Sequence, residues 1–258
     1  MTISSAFGLN GRRCVHAVRL AGRSLLFLGE ALGYGFVPPL KIRRSLEQIV
    51  FIGAKSLIII FVTALSTGMV LALEALHMLR GGATENILGA LVALSIVREL
   101  GPVLSALIVT GRAGSAMTAE IGIMRLTEQI DALEMMAVNP VKHVVTPKIV
   151  AGVVSMPVLC AFFDVVGILG GYFVGVVIYG VPEIHFFGGM TRAVAYLDVA
   201  GGLVKSAVFG LAMSWICSMM GYGAAATAEG VSRATTNAVV ITSIAVLVLD
   251  YMVTSLLL

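Results

Sequence analysis

Apolar residues gather along this chain in five long runs, over 48–73, 87–110, 149–179, 199–220 and 238–258, separated by polar stretches. Each run reaches or exceeds the roughly 20 residues that carry a helix across a bilayer. The pattern therefore predicts transmembrane helices. The third run is too long for one straight crossing, and Pro157 is its expected bend. Gly167, Gly171 and Gly175 recur every fourth residue and offer a face on which another helix packs closely. Ten-residue segments of alternating polarity, the mark of a membrane barrel, do not occur.

The polar stretches carry patterns of their own. Over residues 5–32, Arg12, His16, Arg19 and Arg23 share one narrow stripe, while Val15, Val18, Leu25, Leu26 and Phe27 cover much of the remaining surface. That spacing predicts an interfacial helix on anionic headgroups, ended by Gly33, Gly35 and Pro38-Pro39. A disordered basic tail is the alternative. The second run is expected to turn at Gly101-Pro102 and to end at Thr110. Over 119–138, beginning at Glu120, residues Met124, Glu128, Asp131 and Met135 recur at helical spacing. They predict a short cytoplasmic helix with an acidic edge and a Met-rich edge, fit to seat in a groove of a soluble partner. A solvated loop is the alternative there. Residues 181–198 read as a short polar connection dipping into the interface through Phe186-Phe187, and 221–237 as a Gly/Ala-rich loop.

Composition narrows the class. The chain is 59% hydrophobic and 12% charged, with a mean hydropathy of +1.02, whereas soluble domains carry about 25% charged residues. The fold class is all-α integral membrane, one domain over residues 1–258 with an N-terminal interfacial helix and five spans. Arg12, Arg13, Arg19, Arg23, Lys41, Arg43 and Arg44 stand against Glu30 alone in the first 46 residues, which suits a membrane surface rather than nucleic acid. The loop after the second run adds Arg112, Arg125, Lys142 and Lys148, while the loops after the first and third hold only Arg80 and Arg192. Positive charge thus places the N-terminus in the cytoplasm and the C-terminus outside. No cleavable signal segment is expected before the first run.

Little in the chain resembles catalysis. His16, His77, His143 and His185 are isolated, and Cys14, Cys160 and Cys217 form no CxxC pair, so neither a metal site nor a disulfide framework is expected. No GxxxxGK[ST] phosphate loop exists, so ATP drive requires another subunit and no cofactor is expected here. The sharper signal is charge within the runs. A charge at a helix centre costs about 2.5–3.5 kcal/mol on insertion scales, so it faces protein or a watery cavity. Arg98 and Glu99 are adjacent, point in different directions and need partners elsewhere, for which Lys205, Asp164 and Asp250 are the candidates. A buried structural ion network and a polar wall around an anionic substrate head are both open.

At these residues the sequence is similar to the MlaE-type permeases. The resemblance rests on Val97-Arg98-Glu99-Leu100-Gly101-Pro102-Val103, Gly111-Arg112-Ala113-Gly114-Ser115-Ala116, Ala119-Glu120-Ile121-Gly122, Glu134-Met135-Met136-Ala137-Val138-Asn139-Pro140 and Gly230-Val231-Ser232-Arg233-Ala234-Thr235-Thr236. The family usually carries Asp where this chain has Asn139. The resemblance implies the permease subunit of an ATP-driven phospholipid transporter in a Gram-negative inner membrane, maintaining outer-membrane lipid asymmetry. It implies as partners a second copy of the chain, an ABC ATPase that binds the ATP, a periplasmic MCE-domain protein and a STAS-domain protein. By the same resemblance Arg98, Glu99 and Lys205 lie near the lipid cavity, and Leu71, Glu74, Ala75 and Met78 line its apolar wall. Glu120, Met124, Glu128, Asp131 and Met135 belong to the ATPase-coupling segment. Two rival readings are a proton-coupled secondary transporter carrying protons on Glu99, Asp164 and Asp250, and a membrane scaffold without transport.

Overall fold

The computed structural model describes residues 22, 26–31, 33, 42–79 and 87–257. The interfacial stripe expected at Arg12, His16, Arg19 and Arg23 lies outside them, as does Arg80. Helices and short turns make up the described chain, and no strand occurs among the described residues. Five helices are long and apolar enough to cross a membrane.

The first span starts earlier than the apolar run. It comprises Ile42–Ile52, a tight 3-10 turn at Ala54–Ser56, and Leu57–Leu79. The break leaves the Phe51 carbonyl open, and Arg112 of the second span fills it, its Nη1 donating to Phe51 O at 2.8 Å and to Ser56 Oγ at 3.0 Å. The same guanidinium and Lys55 each stand 5.1 Å from the Phe51 ring centre.

The second span corrects two expectations. It neither turns at Gly101-Pro102 nor ends at Thr110, but runs from Leu88 to Leu126 through two π-helical turns, Ile96–Leu100 and Thr110–Gly114. The first π turn explains why Pro102 does not break the helix. Gly101 N–H reaches back to Ile96 O, and Pro102, which has no N–H to give, falls at the start of the next α segment, where that loss is tolerated. The segment over 119–138 is likewise not one helix. Glu128 takes a left-handed conformation (φ 57°) and separates the end of the second span from a short helix, Gln129–Met135.

The third span extends from Val141 to Ile178, with a π turn at each end and Pro157 inside its α segment. Its glycine face is filled as the spacing predicts: Gly167, Gly171 and Gly175 lie against Ile96, Val92 and Leu88 of the second span. On the neighbouring edge, Gly68 of the first span touches the Gly167 carbonyl so closely that a Cβ at Gly68 would overlap it. The connection over 181–198 is more ordered than expected. It contains a helix, Glu183–Ala193, that buries Phe186 and stacks Phe186 and Phe187 against Tyr172.

The fourth span is Tyr196–Tyr222 and the fifth Ala228–Leu257. The expected loop over 221–237 thus shrinks to a few residues, because Thr227 Oγ1 accepts the Gly230 N–H at 3.0 Å and starts the helix early. The third span is central, its Met156, Leu159, Phe163 and Val166 sharing a core with Ile96, Ala106, Phe209 and Met213. A separate cluster forms where Ala31, in the 26–31 helix, packs on Val141, Val145 and Ile149.

Candidate functional site: a charged pocket in the membrane helices

Five charged side chains meet at the end of the bundle where the second and fourth spans begin: Arg98, Glu99, Asp198, Lys205 and Asp250. Asp198 sits in the first turn of the fourth span, where its Oδ2 accepts the Ala195 N–H at 2.9 Å. That capping bond turns Oδ1 toward Arg98, whose Nε donates to it at 2.8 Å and whose Nη2 stands 2.6 Å from it as an ion pair. Lys205, two turns further along, is buried at 3% exposure. Its ammonium donates to Arg98 O at 2.9 Å and lies 3.0 Å from both Glu99 oxygens. The Arg98 carbonyl is the one that an N–H at position 102 would have satisfied in an α-helix, so Lys205 supplies the donor that Pro102 lacks. Asp250 Oδ1 of the fifth span stands 3.3 Å from the same ammonium, an ion-pair distance without hydrogen-bond alignment.

Arg98, Glu99, Asp198 and Lys205 line a cavity of about 320 Å³ whose other walls include Leu197, Gly201 and Thr254, while Asp250 stands behind Lys205. Arg98 and Glu99 remain about half exposed to it, at 49% and 45% of their side chains, whereas Lys205 is closed off. The pocket thus offers a guanidinium and a carboxylate side by side within an apolar frame. Such a pair binds a small polar head of mixed charge and leaves attached apolar chains among the helices.

The structure unites Glu99, Lys205 and Asp250 but not the third candidate partner. Asp164 lies on the opposite side of the second span, its Oδ1 against Gly101 and its Oδ2 3.8 Å from Cys160 Sγ, beside a separate apolar cavity. Arg98 takes Asp198 instead, a residue the sequence placed in a polar connection. The first-span residues stay apart from the charged pocket: Leu71 packs into the core, Ala75 is buried, and Glu74 and Met78 are exposed without lining it.

The 119–138 segment divides the same way between inward and outward residues. Glu120 pairs at 2.6 Å with Lys148, which is 2% exposed and also reaches Gln48 Oε1 at 3.3 Å. Lys148 is therefore part of the third span's packing rather than a loop charge. Met124 packs beside Ile121, Ile130 and Val144, and Asp131 is held by Arg125 at 2.8 Å. Glu128 and Met135 face outward with Ile123, Leu126 and Met136, and Met135 is 89% exposed. Asn139 closes the segment: its Oδ1 accepts the Lys142 N–H at 3.2 Å and its amide donates to Glu30 at 3.2 Å.

Five apolar spans with a charge cluster set among them define the class as a polytopic α-helical membrane protein. The chain belongs to the MlaE permease family, whose model, Permease MlaE, matches residues 45–256. It is 42% identical over 252 residues to the intermembrane phospholipid transport system permease protein MlaE of Haemophilus influenzae, covering 96% of this chain and 95% of that one. A probable ABC transporter permease protein of Synechocystis is 36% identical over 210 residues, covering 81% and 80% of the two chains. The chloroplastic protein TRIGALACTOSYLDIACYLGLYCEROL 1 of Arabidopsis thaliana is 30% identical over 213 residues, 83% of this chain and 61% of that one.

Proposed function

We propose that this chain is the permease subunit of an ATP-driven system that moves phospholipid between membranes, set in a bacterial inner membrane with its N-terminus in the cytoplasm. The phospholipid head seats in the pocket beside Arg98 and Glu99, with its acyl chains among the spans. The observation that carries this reading is the half-exposed Arg98, the accessible cation of a charged pocket set among apolar spans. The Haemophilus influenzae relative, an intermembrane phospholipid transport system permease protein, supports the substrate class.

A second copy of the chain completes the chamber. Only 28% of the first span's most apolar window and 11% of the fifth's is buried within one chain, which leaves broad apolar faces for a partner and for lipid. A separate ABC ATPase binds the outward face formed by Ile123, Leu126, Glu128, Met135 and Met136. MCE-domain and STAS-domain proteins complete the assembly, the first on the periplasmic side. The test is mass spectrometry of lipid co-purified with the detergent-extracted complex. Arg98→Ala is expected to reduce bound phospholipid at least several-fold with the assembly intact. Equal lipid in wild type and variant would make the cluster a structural clasp and send the search for the lipid to the apolar end of the first span.

A further inference from the structure

The pocket's charge balance points to a preference among phospholipid heads. Two positive side chains, Arg98 and Lys205, meet three negative ones, Glu99, Asp198 and Asp250, so the cluster as a whole carries a net charge of −1. The groups are not equally available. Lys205 is 3% exposed and its ammonium is surrounded by the Arg98 carbonyl, the Glu99 carboxylate and Asp250, all from its own chain. It cannot turn to a ligand without abandoning them. Arg98 donates its Nε–H to Asp198, with Nη2 in ion-pair contact with the same oxygen, and its side chain remains 49% exposed with N–H groups to spare. Glu99 receives Lys205 from one side and retains outward acceptor positions on a carboxylate that is 45% exposed.

We infer that this pocket selects phospholipids whose head pairs a phosphate with a primary ammonium, and disfavours heads of net negative charge. The inference rests on the reading above that the pocket seats a phospholipid head. Arg98 takes the phosphate and Glu99 takes the ammonium as a charge-assisted hydrogen bond. An ethanolamine head satisfies both groups and adds no net charge to a cluster already negative. A glycerol head brings one more negative charge and leaves Glu99 facing it, which is selection by repulsion as well as attraction. A choline head keeps the charge but has no N–H to donate, and so falls between. A second copy of the chain would add the same five residues and leave the sign unchanged.

The test is competition in nanodiscs containing the full complex with equal phosphatidylethanolamine, phosphatidylcholine and phosphatidylglycerol, followed by re-extraction and mass spectrometry of the retained lipid. Wild type is expected to retain ethanolamine over glycerol heads by about tenfold, the worth of one charge-assisted hydrogen bond at the lower end of its range, with choline between. Glu99→Gln is expected to bring the ethanolamine-to-glycerol ratio of the retained lipid down toward that of the disc. Retained phospholipid with no head preference in wild type, or a preference that survives Glu99→Gln, overturns the inference while leaving the transport reading in place. No retained phospholipid in wild type overturns the transport reading itself. The wild-type ordering of the three heads decides the matter even where the variant fails to assemble.

Discussion

Lys205 holds together groups from two other spans, and its removal exposes what the cluster contributes to the fold. Lys205→Met keeps the length and volume of the side chain but leaves the Arg98 carbonyl without a donor and Glu99 and Asp250 without a cation. Removing one partner of a buried ion pair costs about 3–5 kcal/mol, and the half-exposed Glu99 places this case at the lower end. The expected outcome is a clear drop in thermal midpoint, partly recovered when Glu99→Gln and Asp250→Asn are added. A midpoint unchanged by Lys205→Met would mean that water already serves these groups. Much of this cluster was legible in the sequence, because charges in apolar runs must find each other and Lys205 and Asp250 were among the few on offer. Asp198 was not legible. It lies a hundred residues from Arg98 in sequence, and only the start of the fourth span and its capping bond aim the carboxylate back.

Element by element, the packing of the first span on the third depends on the absence of side chains. Gly68→Ala would drive a methyl into the Gly167 carbonyl, a backbone atom with nowhere to go, whereas Gly111 has nothing within 4 Å of the added Cβ. Gly68→Ala is expected to cost the upper end of the ~1–3 kcal/mol typical of overpacking, seen as loss of folded yield. Gly111→Ala should be neutral or stabilise by up to about 1 kcal/mol. Equal yields for the two variants would show that the spans separate freely. The outward face after the second span gives a contrasting case. Met135 is 89% exposed, so Met135→Glu should shift stability by no more than about 0.5 kcal/mol while reducing ATP hydrolysis linked to lipid transport. Hydrolysis at the wild-type rate would remove this face from the coupling path. The spacing of glycines announced the helix packing in advance. The π turns left no comparable mark, since a turn one residue wider than α changes hydrogen bonding and not composition. For the same reason Gly101-Pro102 and Gly111 read as breaks in a helix that passes straight through them.

For the molecule as a whole, an odd number of crossings separates the two ends of the described bundle. With the basic residues facing the cytoplasm, alkaline phosphatase fused at the end of the chain is expected to be active and a fluorescent protein there to be dark. The reverse pattern would invert the proposed orientation. The number of spans was legible because hydrophobic length is a direct demand of the bilayer. The early start of the fifth span was not, since its first turns carry Glu229, Arg233 and several threonines that look like a loop until Thr227 caps them. That span is also held unevenly. Val231, Ala234, Ala238 and Thr242 are buried, while Leu247, Val248, Tyr251 and Met252 are more than half exposed and Asp250 makes the ionic link to the rest of the chain. During biosynthesis this is the last of the five spans to be made, and its far half emerges with little of its own chain to settle on. Until a partner or lipid covers them, those side chains stay on show, so a copy outside the proposed assembly carries a visible sign of being unassembled.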